Sequence, residues 1–160
     1  MTTSFCFQNV FRIFAAARRY LAAGMILLIT DGAVMAGDKA AAKTLSETPL
    51  FAFGGIGVAG ITSQGEYAFK SVLASDSAEA DFLQILKTGT PQGQCYALVG
   101  LRLKNRPVFD EQVKRFASSS QKVDTCAGCA PMTLPMSSVV ATIQKGSYDD
   151  RGKARPEKPR

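Results

Sequence analysis

The chain of 160 residues contains no histidine. Its absence removes the commonest general base and metal ligand, and with them any Ser-His-Asp or Cys-His arrangement within the chain. Acids are the minority charge, 13 against 19 basic residues. Four candidates for paired carboxylate chemistry, Glu66, Asp76, Glu79 and Asp81, all fall at predicted helix starts, where negative charge favours the macrodipole. Capping therefore accounts for them. Long apolar runs are lacking too: the one from Tyr20 to Ile29 ends before Asp31, short of the roughly 20 residues a membrane span needs.

That short run sits behind Arg12, Arg18 and Arg19 and ahead of Val34-Met35-Ala36, the order of a secretory signal with a small-residue cleavage site. Arg18-Arg19 also fits a twin-arginine pattern, but adjacent arginines serve an ordinary n-region equally well. Residues 1–36 are read as a cleaved Sec-type signal, and no cysteine follows the apolar run to take a lipid. The mature protein is expected to be soluble, periplasmic or secreted. Its charge would be +4, with 16 basic and 12 acidic residues retained. Residues 37–49, "GDKAAAKTLSETP", are small and polar and predict a flexible linker. Residues 149–160, "DDRGKARPEKPR", hold no large apolar side chain to offset ordering entropy and predict a disordered basic tail. Without that tail the domain is close to neutral, so no nucleic-acid partner is inferred.

The domain proper, 50–148, carries clear helix punctuation. Ser63 and Glu66 have capping-box spacing and predict a helix over Gln64–Ala74 with Phe69, Val72 and Leu73 inward. Asp76 and Glu79 repeat the spacing ahead of a second helix running to about Lys87, with Phe82, Leu83, Ile85 and Leu86 as its stripe and Gly89 as a left-handed C-terminal residue. Thr90-Pro91 opens a third, whose Tyr96, Leu98, Val99, Leu101 and Leu103 make it the expected central helix. Arg106-Pro107 opens a fourth, through Phe109, Val113 and Phe116. The basic cluster Arg102, Lys104 and Arg106 suits a helix C-terminus. After Ser120, two prolines and a glycine predict an extended or looped segment with a short strand over Lys122–Cys126, before a last helix over Pro135–Lys145 with Val139, Val140 and Ile143. The expectation is an all-α domain of four to five short helices, stacked as helical hairpins or a short α-solenoid.

Of the four cysteines, Cys6 leaves with the signal; Cys95, Cys126 and Cys129 remain as disulfide candidates for an oxidising compartment, with three possible pairings. Cys126-Ala-Gly-Cys129 is also a redox spacing, but that chemistry needs a helix to open at the first cysteine, and "APMTLP" opposes one. A zinc site wants four ligands; three cysteines and Asp124 would be an unusual set, so no metal is expected.

Gly55-Ile56-Gly57-Val58-Ala59-Gly60 spells the dinucleotide fingerprint G-x-G-x-x-G. That motif works only between a strand and a helix that opens from its glycines, whereas the Ser63 cap starts the helix later. Gly55, Gly57 and Gly60 are read as structural glycines buried against the third helix, and no cofactor is expected. An open, solvated loop there would reopen the ligand question.

Together, "FGGIGVAGITSQGEYAF", "GTPQGQCYALVGL" and "VDTCAGC" resemble landmarks of small exported bacterial proteins of unassigned function, some of them in microcin gene clusters. The resemblance covers residues 50–148 and implies a shared fold and export, with no reaction and no functional residue to transfer. The pairing of Cys126 with Cys129 departs from the single Gly-Cys of that pattern. The function expected is a non-enzymatic binding module of the cell envelope, its partner a protein or envelope component. The alternatives are a thiol-disulfide protein using Cys126 and Cys129, and an accessory or immunity factor for a secreted peptide.

Overall fold

The computed structural model describes residues 32–153, with side chains from Lys39 onward. Most of the expected signal segment, residues 1–31, and the end of the basic tail, 154–160, lie outside the described residues. In chain order the elements are α1 (Gly32–Ser46), β1 (Gly55–Ile56), β2 (Ile61–Thr62), α2 (Gln64–Ala74), α3 (Ala78–Thr88), α4 (Pro91–Lys104) and α5 (Arg106–Gln112). A 3-10 turn (Val113–Arg115), β3 (Lys122–Ala127), β4 (Ala130–Pro135), α6 (Met136–Gln144) and α7 (Asp149–Lys153) complete them. A compact unit begins at Gly37 and takes in α1 from that residue on.

Helix α4 is the axis of this unit. Cys95, Tyr96, Ala97, Leu98, Val99 and Leu101 have no exposed surface, and α2, α3, α5, α6, α7 and β3 all pack against it. Its neighbours present the predicted stripes: Phe69 and Val72 from α2, Phe82, Ile85 and Leu86 from α3, and Val139, Val140 and Ile143 from α6 are buried. Helix α3 approaches so closely at Gly100 that a Cβ there would run into the Phe82 ring.

Three caps set the helix starts. Ser63 Oγ accepts the Glu66 N–H at 3.0 Å, Thr90 Oγ1 the Gly93 N–H at 3.1 Å, and Asn105 Oδ1 the Val108 N–H at 3.3 Å, each worth about 1 kcal/mol. The Asp76/Glu79 box does not form. Ser77 occupies the cap position of α3 without a side-chain cap bond, and Glu79 instead accepts from Asn105 Nδ2 at 3.0 Å, tying α3 to the α4–α5 corner. Gly89 follows α3 in extended conformation, φ −80°, rather than left-handed. Its own N–H closes the helix on the Ile85 carbonyl at 2.8 Å.

The expectation of an all-α domain is overturned: among the described residues seven α-helices are joined by two antiparallel two-stranded sheets, β1–β2 and β3–β4. The strand predicted over Lys122–Cys126 is there, and "APMTLP", expected as extended or looped chain with no strand of its own, is its partner β4. The register runs from Ala127 opposite Ala130, at the turn, to Lys122 opposite Pro135. Counting alternate pairs from the turn puts the N–H groups of residues 130, 132 and 134 toward β3 and those of 131, 133 and 135 outward. Pro131 and Pro135 thus stand where the ladder asks for no donor, the one placement in a strand that proline tolerates. The bonds flanking the hairpin follow the same alternation: Met136 N–H reaches the Gln121 carbonyl at 2.7 Å, and Phe51 N–H the outward Asp124 carbonyl at 2.8 Å.

Residues 37–49, expected as a flexible linker, hold the body of α1 and a docked turn. Leu45 is fully buried, the Ser46 carbonyl accepts the Thr90 N–H at 2.8 Å, and the Thr48 carbonyl accepts the Thr90 hydroxyl at 2.8 Å. At the other end, the first residues of the expected tail form α7. Asp149 pairs with Arg102 at 2.8 Å, Gly152 is buried, and the Tyr148 ring packs on Phe51 and Phe53 at 5.1 and 5.6 Å.

Candidate functional site: two adjoining hairpin turns

The segment from Phe51 to Thr62 leaves the core, turns back at its glycines and returns to α2. Its root is held by α4. The Tyr96 hydroxyl donates to the Ala52 carbonyl, accepts the Ala52 N–H at 3.0 Å, and pairs with Ser63 Oγ at 3.2 Å. Ser63 Oγ also reaches the Ala52 carbonyl at 3.2 Å, so one hydroxyl pair closes the root and caps α2. Burial among Phe51, Phe53 and Phe69 pushes the Tyr96 phenol up to about 12, against which its bonds to Ser63 and Ala52 act. Glu66 is also buried; its carboxylate accepts the Gly54 N–H at 2.8 Å and Lys70 Nζ at 2.6 Å.

Beyond this anchored root the glycines are exposed. Gly55, Gly57 and Gly60 are not buried against the third predicted helix, α4, as expected; they form an open hairpin turn. Gly57 and Gly60 have φ +70° and +61°, and a Cβ added at either would meet no atom within 4 Å, so left-handed backbone, not tight packing, requires glycine there. At Gly55 a Cβ would strike the Gly60 backbone across the turn. An open loop reopens the ligand question, yet the construction of this one opposes a phosphate cradle. No helix opens from the glycines: β2 intervenes, and the N-terminus of α2 already holds Ser63 Oγ on the Glu66 N–H.

The turn instead meets a second one. Gly57 N–H donates to the Gly128 carbonyl at 2.9 Å, and Gly128, φ +61°, lies with Cys129 in the two-residue connection of β3 and β4. Among the described residues the large apolar side chains that stand out in solvent are on these two hairpins: Val58 at 99 % exposed, Ile61 at 64 % and Met132 at 42 %. Three side chains of that size cost free energy in water, and the residues that carry them are otherwise free to be polar.

Among the described residues the three cysteines, Cys95, Cys126 and Cys129, are all free thiols. Cys95 lies in the core on α4, where burial raises its thiol to about 12, so it is neither a nucleophile nor open to reagent. Cys126 is half-buried in β3 and its Sγ–H donates to the Gly128 carbonyl at 3.2 Å; Cys129 is exposed at the turn. The chain continues from Cys129 into β4, so no helix dipole acts on either thiol. Among the described residues no group of three or more cysteine, aspartate and glutamate side chains converges as a metal site.

An open cleft of about 390 Å³ lies beside the hairpin root, lined by Thr44, Glu47, Thr48, Pro49, Leu50, Ile56, Ser63, Gln64 and Gly65. It offers hydroxyls and one carboxylate, Glu47, with no second ionisable group to share a proton. Among the described residues no helix is long and apolar enough to cross a membrane. No family model, no curated protein and no solved structure matches the chain.

Two features of this site escaped sequence reasoning. Tyr96 read as a core residue, and nothing local signals that its hydroxyl holds a residue 44 positions away. The Gly57–Gly128 contact joins two turns that each read as isolated punctuation.

Proposed function

We propose that the protein is an exported, non-enzymatic binding module that engages a protein partner through the paired hairpin turns. The observation that carries this reading is the concentration of exposed apolar side chains, Val58, Ile61 and Met132, on two turns fastened to each other and rooted in the core. Apolar groups on a rigid platform are what a protein interface uses as anchors. Engagement would be by side chains, because the free edge of β4 offers the Thr133 N–H as its lone outward donor between two prolines. Export rests on the signal-like N-terminus.

The test is site-specific photo-crosslinking in the producing cell. A photoreactive residue at Val58, Ile61 or Met132 is expected to give the same discrete adduct. The same probe at exposed Lys87 on α3 should give none. Equal labelling from all four positions, or none from the hairpins, would refute the assignment of the surface.

A further inference from the structure

The Gly128 carbonyl has two donors, the Gly57 N–H at 2.9 Å and the Cys126 Sγ–H at 3.2 Å. One thiol therefore bonds to the same atom that fastens the glycine hairpin to β3–β4. The other thiol, Cys129, is the next residue along and is exposed. Cys126 stands opposite Pro131 within the ladder, whereas Cys129 belongs to the turn beyond the closing pair Ala127–Ala130. The two are thus not facing residues of the hairpin. A bond between their sulfurs removes the Cys126 Sγ–H from the Gly128 carbonyl and closes a short ring around the Ala127–Gly128 peptide, whose shape then has to suit disulfide geometry. Gly128 lies within that ring, and its carbonyl is the one that holds Gly57.

We infer that Cys126 and Cys129 form a redox-controlled fastener: as dithiol they leave the two hairpins joined, and as disulfide they release the glycine hairpin from Gly128. The oxidant is a low-molecular-weight disulfide such as oxidised glutathione. The Cys129 thiolate attacks one of its sulfurs, expelling one glutathione thiolate, and the Cys126 thiolate then attacks the Cys129 sulfur, expelling the second. One S–S bond forms in the protein and one breaks in the reagent. Two electrons pass to glutathione, and the two thiol protons go to the expelled thiolates. A disulfide at an exposed turn is more readily reduced than a buried one, so the fastener resets under mild reductant. Its consequence for function rests on the hairpin surface being the binding surface; its chemistry does not.

The experiment uses purified, fully reduced protein treated with oxidised glutathione, followed by peptide mapping and residue-resolved amide exchange. The expected product has lost two hydrogen atoms in a peptide linking Cys126 to Cys129. Exchange at Gly57 should rise about two- to tenfold, as for loss of one hydrogen bond of ordinary net strength, with α2 unchanged. Cys126→Ser and Cys129→Ser should abolish both effects. Glutathione retained as a stable adduct without closure would overturn the inference. So would closure with Gly57 exchange unchanged, or the same exchange response in the serine variants. No partner takes part in this measurement, so a failure to crosslink at Val58 leaves it standing and its own failure leaves the binding surface standing.

Discussion

Removing one oxygen atom, by Tyr96→Phe, should do more damage than its size suggests. The phenylalanine ring keeps the packing on Phe51 and Phe53, at 4.8 and 5.0 Å between centroids, so no cavity opens. What is lost is the hydroxyl between the Ala52 N–H and carbonyl. The carbonyl retains Ser63 Oγ at 3.2 Å, and Ser63 retains the Glu66 N–H. The Ala52 N–H, in a residue only 2 % exposed, has no other bond to fall back on. An orphaned buried donor costs about 1–3 kcal/mol, so the expected loss is about 2 kcal/mol. With a urea slope of about 2 kcal/mol per molar for a domain of this size, the unfolding midpoint should fall by about 1 M. Amide exchange at Ala52 should accelerate more than at Leu98, which shares the helix of Tyr96 but not its bond. A midpoint within about 0.2 M of the parent, together with slow exchange at Ala52, would show that the root is held by packing alone and refute the reasoning.

Further expectations follow from burial and from the sheet edge. Tyr96 is raised from 10.0 to about 12 and Cys95 from 9.0 to about 12, so the unfolded chain releases these protons first. Stability is then full below about pH 9 and falls as pH rises toward 12, and Tyr96→Phe should flatten the tyrosine part of that decline in a pH series of urea melts. Gly100→Ala would gain about 1 kcal/mol of helix propensity but overpack against the buried Phe82 ring at about 1–3 kcal/mol. A lower melting temperature is expected, and a higher one would show that the ring can turn aside. Pro131→Thr restores an outward N–H on β4; self-association rising with concentration in size-exclusion chromatography is expected, and a monomer at all concentrations would remove the proline from its guarding role.

Local chemistry was legible where it acts alone. Ser63 with Glu66, and Thr90 with Pro91, place helix starts to the residue, because a cap needs only its own turn. The Asp76/Glu79 pair has the same spacing and fails because Glu79 finds a partner in Asn105, on the far side of the α3–α4 hairpin. Prolines 131 and 135 read as extended or looped chain rather than a paired strand because strand tolerance depends on which way each N–H points, and that is set by a partner strand invisible in one sequence. The glycines of the first hairpin read as packed because small residues serve close approach and positive φ equally; only the fold tells these apart. The segment 37–49 reads as linker from its alanines and lysines, yet a single buried leucine, Leu45, and two backbone acceptors bind it to α4.

That docking decides where the protein can be trimmed. A fragment beginning at Leu50, the boundary composition suggests, would strip the lid from the N-terminal end of α4. It would leave the Thr90 N–H and hydroxyl without their acceptors on Ser46 and Thr48 and expose the apolar seat of Leu45 to water. Deleting a buried leucine side chain by itself costs roughly 2–5 kcal/mol, a large share of the stability of a domain this small. Deletion libraries and recombinant fragments of this protein should therefore retain everything from Gly37 onward, the stretch that looks most dispensable.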